Sequence, residues 1–109
     1  MVKISRIIHQ TEWIRSTRIG ELKIANVAPS KEHSLRNMIS GHNRGRGLEQ
    51  GVFIQSTYNA EGQRMAIYAM PREEYLLKIK TGEDEKDWKQ NLPTGFYDKD
   101  RWDDESEHD

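Results

Sequence analysis

The residues best suited to chemistry in this chain of 109 residues are cationic and amide side chains near its middle. The run from His42 to Gly47 holds two arginines, an asparagine and two glycines, and it follows a segment with Arg36 and Asn37 at polar positions. Guanidinium groups donate charged, bidentate hydrogen bonds to phosphate oxygens, and arginine and asparagine also pair with base edges. We therefore predict a surface that binds DNA or RNA. Its members are Arg36, Asn37, His42, Asn43, Arg44, Arg46 and Arg64.

Two interpretations of this region remain open from the residues alone. Phe53, Tyr58 and Tyr68 lie in neighbouring apolar segments, where an exposed ring would be a stacking platform for single-stranded bases. The alternative is that these rings are core or sheet-surface residues and that 42–47 is a solvated, flexible connection.

Catalysis and metal binding have little support in the composition. The chain has no cysteine, which excludes disulfides, thiolate zinc sites and iron–sulfur clusters, and the spacing of a phosphate-binding loop is missing. We predict no metal and no cofactor, since the histidines are scattered at His9, His33, His42 and His108. A metal-independent ribonuclease would need a base, an arginine for the phosphorane charge and a second acid. The candidates are His42 as base, Arg44 or Arg46 for the charge, and His33 or Glu32 as acid, but no spacing requires them, so we predict a protein that is not an enzyme.

The formal net charge of -1 conceals two charged parts of opposite sign. Residues 1–80 contain 13 Lys and Arg against 7 Asp and Glu, whereas residues 81–109 contain 4 against 11. We predict a basic domain over 1–82 and an acidic, largely disordered tail over 83–109, because such a tail lacks the apolar surface that offsets ordering entropy. The tail is then either a solubilising segment or one that screens the basic surface intramolecularly.

A third role for the tail is to bind a protein. Acidic side chains would steer it to a basic groove on a host enzyme in imitation of nucleic acid, and aromatic side chains would anchor it. The candidate anchors are Trp88, Phe96, Tyr97 and Trp102. This alternative makes the chain an inhibitor that acts through protein–protein contact.

The order of apolar patterns predicts an α+β fold with a small antiparallel sheet packed with one or two helices. Strands are expected over 2–8 and 19–27, the latter half-buried, and as a hairpin of 52–58 with 64–70. Helical segments are expected over 11–15 with Thr11 as cap, over 31–40 between a Ser30 cap and Gly41, after Pro71 as far as Gly82, and marginally over 83–91. A strand over 75–80 is the alternative to the helix after Pro71.

The predicted core is small, so dimerisation would be an ordinary remedy for marginal stability. It consists of Ile4, Ile7, Trp13, Leu22, Ile24, Leu35, Met38, Ile39, Val52, Ile54, Met65, Ile67, Leu76 and Ile79. Uninterrupted apolar runs are far shorter than the roughly 20 residues that a membrane-spanning helix needs, and the N-terminus lacks the apolar region of a signal peptide. We therefore expect a cytoplasmic protein without membrane contact.

One pattern resembles small accessory proteins encoded by bacteriophages. It combines 19–22, the segment 34–39, the basic glycine-bearing loop after it, and the hairpin of 52–55 with 65–68, which together cover about half of the chain. The resemblance implies a compact strand–helix–hairpin unit in a bacterial cytoplasm, with a role in nucleic-acid binding or in inhibiting a host machine. It carries over no functional residue.

Overall fold

The fold is α+β, as predicted, in a computed structural model that describes residues 4–5, 9–81 and 88–100. The strands are β1 (Ile4–Ser5), β2 (Leu22–Asn26), β3 (Val52–Asn59) and β4 (Arg64–Pro71). The helices are α1 (Gln10–Arg15), α2 (Pro29–Arg44), α3 (Arg46–Gln50) and α4 (Arg72–Thr81), followed by a 3₁₀ helix over Trp88–Asn91. None of the helices in these ranges is long and apolar enough to cross a membrane.

The sheet has the strand order β1-β2-β4-β3. The predicted hairpin is confirmed, with β3 antiparallel to β4 and Gln55 opposite Tyr68, and β2 is antiparallel to the other side of β4. β1 adds a short parallel pairing in which Ile4 lies opposite Ile24. The rest of the strand predicted over 2–8 lies outside the described residues.

Both faces of the sheet are covered. Successive side chains of a strand point to opposite faces, so neighbours buried to the same degree indicate a layer on each side. Ile24 and Ala25 of β2 are both fully buried, and the prediction of a half-buried β2 is therefore wrong. One face packs on α1 and α2 through Ile14, Leu35, Ile39, Ile54, Met65 and Ile67. The other packs Ile24, Phe53, Ala66 and Met70 on Trp88 and Phe96.

The covering of the second face corrects the predicted boundary between domain and tail. Trp88 is 3% exposed, its ring lies parallel to Tyr68 with centroids 5.6 Å apart, and its Nε1 donates to Gln55 Oε1 at 3.0 Å. Phe96 is 1% exposed. Residues 88–100 therefore belong to the folded body, and the prediction of disorder is wrong for them. Residues 83–87 and 101–109 lie outside the described part of the chain.

The helix boundaries around the basic run also differ from the prediction. α2 begins with Pro29 after Ala28, so Ser30 is not its cap, and it continues through Gly41 as far as Arg44. The prediction of a loop over 42–47 is wrong, because Gly45 alone separates α2 from α3. The extension is stabilised by hydrogen bonds from His42 and Asn43 to β3, which no local pattern predicts. Likewise α1 starts after His9, with no side-chain cap from Thr11.

Other element predictions are confirmed. Leu35 and Ile39 form the buried stripe of α2 with the half-buried Met38, and Trp13 and Ile14 point inward from α1. The helix after Pro71 is correct and the alternative strand over 75–80 is not. Leu76, predicted as core, is 48% exposed. The predicted stop at Gly82 lies outside the described residues.

Candidate nucleic-acid interface

Helices α1, α2 and α3 meet around an open pocket of about 220 Å³. Its described lining combines cationic, small polar and apolar side chains, and none of these lining residues is acidic. They are Thr11, Ile14, Arg15, Met38, Gly41, His42 and Arg46. The tertiary structure thereby places two arginines that are 31 positions apart at a single concave site.

Arg15 is held at the pocket by the anchoring of α1. Trp13 and Ile14 are buried, so α1 is fixed on the sheet side and the next residue in the sequence, Arg15, is exposed. Lys23 of β2 donates through Nζ to the Trp13 carbonyl at 2.9 Å and to Ser16 Oγ at 2.8 Å. A cation at the last carbonyls of a helix is favourable, because these groups lack intrahelical partners and carry the negative end of the helix dipole. Burial lowers the pKa of Lys23, and the charges of Glu21 and Glu12 oppose this shift.

Arg46 is positioned by the close packing of α3 on the end of α2. A Cβ atom on Gly47 would lie 2.5 Å from the Val52 carbonyl oxygen and 2.8 Å from His42 Cδ2. Real side chains do not approach so closely, hence only glycine allows α3 to pack at this distance. Gly51, with φ of 74°, then ends α3 and leads directly into β3.

His42 forms part of the pocket wall and is 7% exposed. Its Nε2 lies 3.1 Å from the Val52 carbonyl oxygen. Because a carbonyl only accepts, this geometry assigns the proton to Nε2 and leaves Nδ1 an acceptor. That Nδ1 is buried and has no hydrogen-bond partner among the described residues.

Burial lowers the pKa of His42. The hydrogen bond to Val52 opposes the shift, whereas the charges of Arg15 and Arg46 reinforce it. Both arginines therefore act electrostatically on the same imidazole, as expected if they flank it. Since its pKa lies below 6.5, His42 is mainly neutral at pH 7, and the positive charge of the pocket comes from the two arginines.

The residues predicted to bind nucleic acid do not share one environment. Arg46 lines the pocket, while Asn37 and Arg44 are exposed on α2, where they form a stripe with Gly41. Arg36 is also exposed, but its Nε lies 2.7 Å from Glu32 Oε2 in an ion pair.

His42 and Asn43 instead hold the edge of the sheet. Asn43 Nδ2 donates to the Ile54 carbonyl at 2.9 Å and its Oδ1 accepts from the Ile54 N–H at 2.8 Å. With His42 on Val52, these side chains occupy backbone groups of β3 that β4 does not pair. The prediction that they face a ligand as free donors is wrong.

Arg64 is the largest departure from the predicted surface, since its side chain is fully buried. Nε donates to the Phe96 carbonyl at 2.8 Å, and Nη2 donates to the carbonyls of Asp98 at 2.5 Å and Asp100 at 2.9 Å. The guanidinium carbon also lies 6.0 Å from the centre of the Phe96 ring. Burial lowers the pKa of Arg64, and the charges of Asp98 and Asp100 raise it. Arg64 thus fastens the C-terminal segment and is not part of the interface.

The predicted aromatic sites also change. Trp88 and Phe96 are core residues, so neither is a free anchor, whereas Tyr97 is 61% exposed. Trp102 lies outside the described residues. In the hairpin, Phe53 stacks on Tyr75 with centroids 4.7 Å apart and the Tyr58 hydroxyl donates to the Val27 carbonyl at 2.7 Å. Tyr68 stacks on Trp88. All three hairpin rings therefore pack within the fold, and their interpretation as core or sheet-surface residues is the correct one.

Arg15 was not among the residues predicted from the sequence, and neither was the pocket that it lines. The inward direction of Trp13 and Ile14 was predictable and implied an exposed Arg15, but no spacing connects this residue to Arg46. Among the residues described, no cluster of three metal-binding side chains occurs. Comparison with protein-family models, with curated proteins and with solved structures found no match.

Proposed function

We propose that this chain is a small, non-enzymatic nucleic-acid-binding protein whose contact surface is the helical face. The helical face is the pocket together with the exposed stripe of α2, and its polar members are Arg15, Asn37, Arg44 and Arg46. The observation that carries the proposal is the convergence of Arg15 and Arg46 from separate helices at one open site.

Charge and donor chemistry support this assignment. Residues 10–50 contain seven Lys and Arg against four Asp and Glu, which gives this part of the chain a net positive charge. Planar guanidinium groups match the geometry of phosphate oxygens, and the amide of Asn37 adds a donor and an acceptor for a base edge. Phosphate contacts of this kind supply most of the affinity in binding that is independent of base sequence.

The test compares two pairs of charge-removing substitutions. R15Q with R46Q removes both arginines of the pocket, and R72Q with K99Q removes the same charge from exposed positions beyond the helical face. Affinity for a labelled single strand of about 12 nucleotides is measured by fluorescence anisotropy over a range of salt concentrations. We expect the pocket pair to weaken binding about tenfold or more and to reduce the salt slope by about 1.4, the value for two lost contacts to a single strand.

The control pair should change affinity by no more than about twofold, since net charge alone acts at long range and is screened by salt. Equal losses in the two variants would show that the helical face is not the contact surface. Absence of binding by the unmodified chain at low salt would contradict the proposed function itself.

The geometry does not favour the ribonuclease. A general base needs a nitrogen within hydrogen-bond reach of the substrate hydroxyl. In His42 the Nε2 is bonded to Val52, and the Nδ1 is covered by protein.

One observation favours the alternative of a protein inhibitor. Tyr97 exposes most of its ring beside the exposed Asp98 and Asp100, which is the composition of a hot spot flanked by steering charges. Pull-downs from bacterial lysate with the full chain and with Y97S test it, and this hypothesis predicts a protein captured only by the unmodified chain.

A further inference from the structure

We infer that the pocket receives one unpaired nucleotide, and that the protein therefore binds single strands in preference to duplexes. The inference rests on the proposed function, and it adds the state of the nucleic acid that the helical face selects. In this arrangement the base lies against the half-buried Met38 on the apolar side of the pocket, and the adjoining phosphate lies between Arg15 and Arg46.

The distribution of side chains around the pocket carries the first step. Ile14 and the half-buried Met38 supply an apolar wall, while Arg15, Arg46 and the Thr11 hydroxyl supply polar groups. A free phosphate would need only the polar part. A nucleotide has an apolar base face and an anionic phosphate a few ångströms apart, so it matches both parts, and a polarisable thioether such as that of Met38 packs well on a ring.

The charge state of His42 supports placing the base, and not a second phosphate, beside this wall of the pocket. Because burial and the two arginines lower its pKa, the imidazole is mainly neutral at pH 7 and leaves phosphate binding to the arginines. The wall beside the base is then uncharged from Ile14 through Met38 to His42. An uncharged wall is suited to a base, whereas a third cation there would favour a second phosphate.

The shape of the pocket favours a single strand over a duplex. A duplex presents a convex surface with its bases stacked inside, and proteins read it by placing a helix or a ribbon into a groove. The helical face instead presents a concavity of about 220 Å³ between three helices. A base in a duplex could enter only after unpairing and unstacking, which is unfavourable, while a single strand presents its bases already unpaired.

The experiment uses the full chain with a single strand and with the blunt duplex of the same sequence. We expect the single strand to bind at least about tenfold more tightly at the same salt concentration, because the duplex must first unpair and unstack a base. Substitution M38A should lower affinity for the single strand severalfold and affinity for the duplex by less. M38L is the matched control, because it keeps the apolar wall and should retain the preference.

Folding is checked by circular dichroism, since Met38 also packs on the core. A fluorescent adenine analogue within the strand gives an independent readout, because its emission should rise when the base leaves its stacked neighbours. Equal affinity for the two probes, or an equal effect of M38A on both, would overturn this inference and leave the proposed function standing. Binding to neither probe would instead contradict the proposed function.

Discussion

The fully buried guanidinium of Arg64 joins the start of β4 to the backbone of residues 96–100. Asn59 reinforces this junction by donating to the carbonyls of Phe96 at 3.0 Å and Asp98 at 2.7 Å. A Cβ atom on Gly62 would lie 2.6 Å from the Asp98 carbonyl oxygen, which shows how closely the segment approaches the hairpin turn. Side chains at the two strand ends that flank the turn thus hold the C-terminal layer through its main chain.

Replacement of Arg64 by methionine should therefore lower the free energy of unfolding by about 2 kcal/mol or more, because it leaves the buried Phe96 carbonyl and the partly buried carbonyls of Asp98 and Asp100 without their charged donor. Urea denaturation measures this value. The control is R36M, which removes an exposed arginine paired with Glu32 and should change stability by less than about 1 kcal/mol. Similar losses in the two variants would contradict the role assigned to Arg64.

His42 should make the stability of the protein depend on pH. Its pKa is lower in the folded chain than its ordinary value of 6.5, so the unfolded chain takes up the proton first as the pH falls. The stabilisation that the neutral imidazole of His42 contributes is complete above pH 6.5, and it is lost as the pH falls through the folded pKa.

Free energies of unfolding at about pH 7.5 and 5.5 should thus differ more for the unmodified chain than for H42Q. Glutamine keeps a donor for the Val52 carbonyl but does not titrate. Identical pH dependence in the two proteins would show that His42 does not contribute.

The residue types around the site were predictable, but their burial was not. The sequence presents Arg64 and Arg46 as equivalent cations, and only long-range packing on Phe96 distinguishes the buried arginine from the exposed one. Arg15 shows the reverse case, because a residue in a short amphipathic helix became part of the site through contact with α2.

At the scale of elements, two glycines of the α2–α3 region should respond oppositely to the same substitution. G47A places a methyl group against the Val52 carbonyl and His42, and we expect it to lower the free energy of unfolding by about 1–3 kcal/mol. G41A lies inside α2, and apart from the adjoining backbone of the helix itself no atom lies within 4 Å of the added methyl group. It should raise the free energy of unfolding by about 0.5–1 kcal/mol, because alanine has the higher helix propensity.

Thermal denaturation of the two variants measures this difference in sign. Destabilisation by G41A, or no effect of G47A, would contradict the continuous α2 and the close packing of α3.

Elements formed by short-range interactions were predictable from the sequence, whereas features that depend on long-range contacts were not. The hairpin and the apolar stripe of α2 are consequences of local periodicity, and both were predicted. The predicted end of α2 was wrong, because the true end depends on hydrogen bonds between Asn43 and Ile54, which are eleven residues apart. β2 is buried on both faces because the C-terminal layer covers one of them with Trp88 and Phe96. The acidic composition of that segment predicted disorder, so these two residues were not assigned to the core.

At the scale of the whole molecule, the structure changes the position at which a truncation can remove acidic sequence without removing part of the core. A chain ending at Thr81 would expose Ile24, Phe53 and Met70, the second face of the sheet, and should not fold stably. A chain ending at Asp100 keeps Trp88, Phe96 and the contacts of Arg64. The sequence it lacks, 101–109, contains five Asp and Glu and one Arg.

If this terminal segment screens the helical face, the chain ending at Asp100 should bind a single strand more tightly than the full chain. The gain should be largest at low ionic strength, where charges interact over the longest distances. Circular dichroism verifies that the shortened chain folds. Equal affinities at low salt would identify the terminal segment as only solubilising.

The central claim is that nucleic acid contacts the helical face, and chemical-shift mapping of the ¹⁵N-labelled full chain with a single strand tests it most directly. We predict the largest backbone amide shifts at Arg15, Gly41 and Arg46, around the pocket. Residues of the opposite layer, such as Trp88 and Tyr97, should shift little. Shifts concentrated in residues 88–100, or none at saturating strand, would contradict the claim.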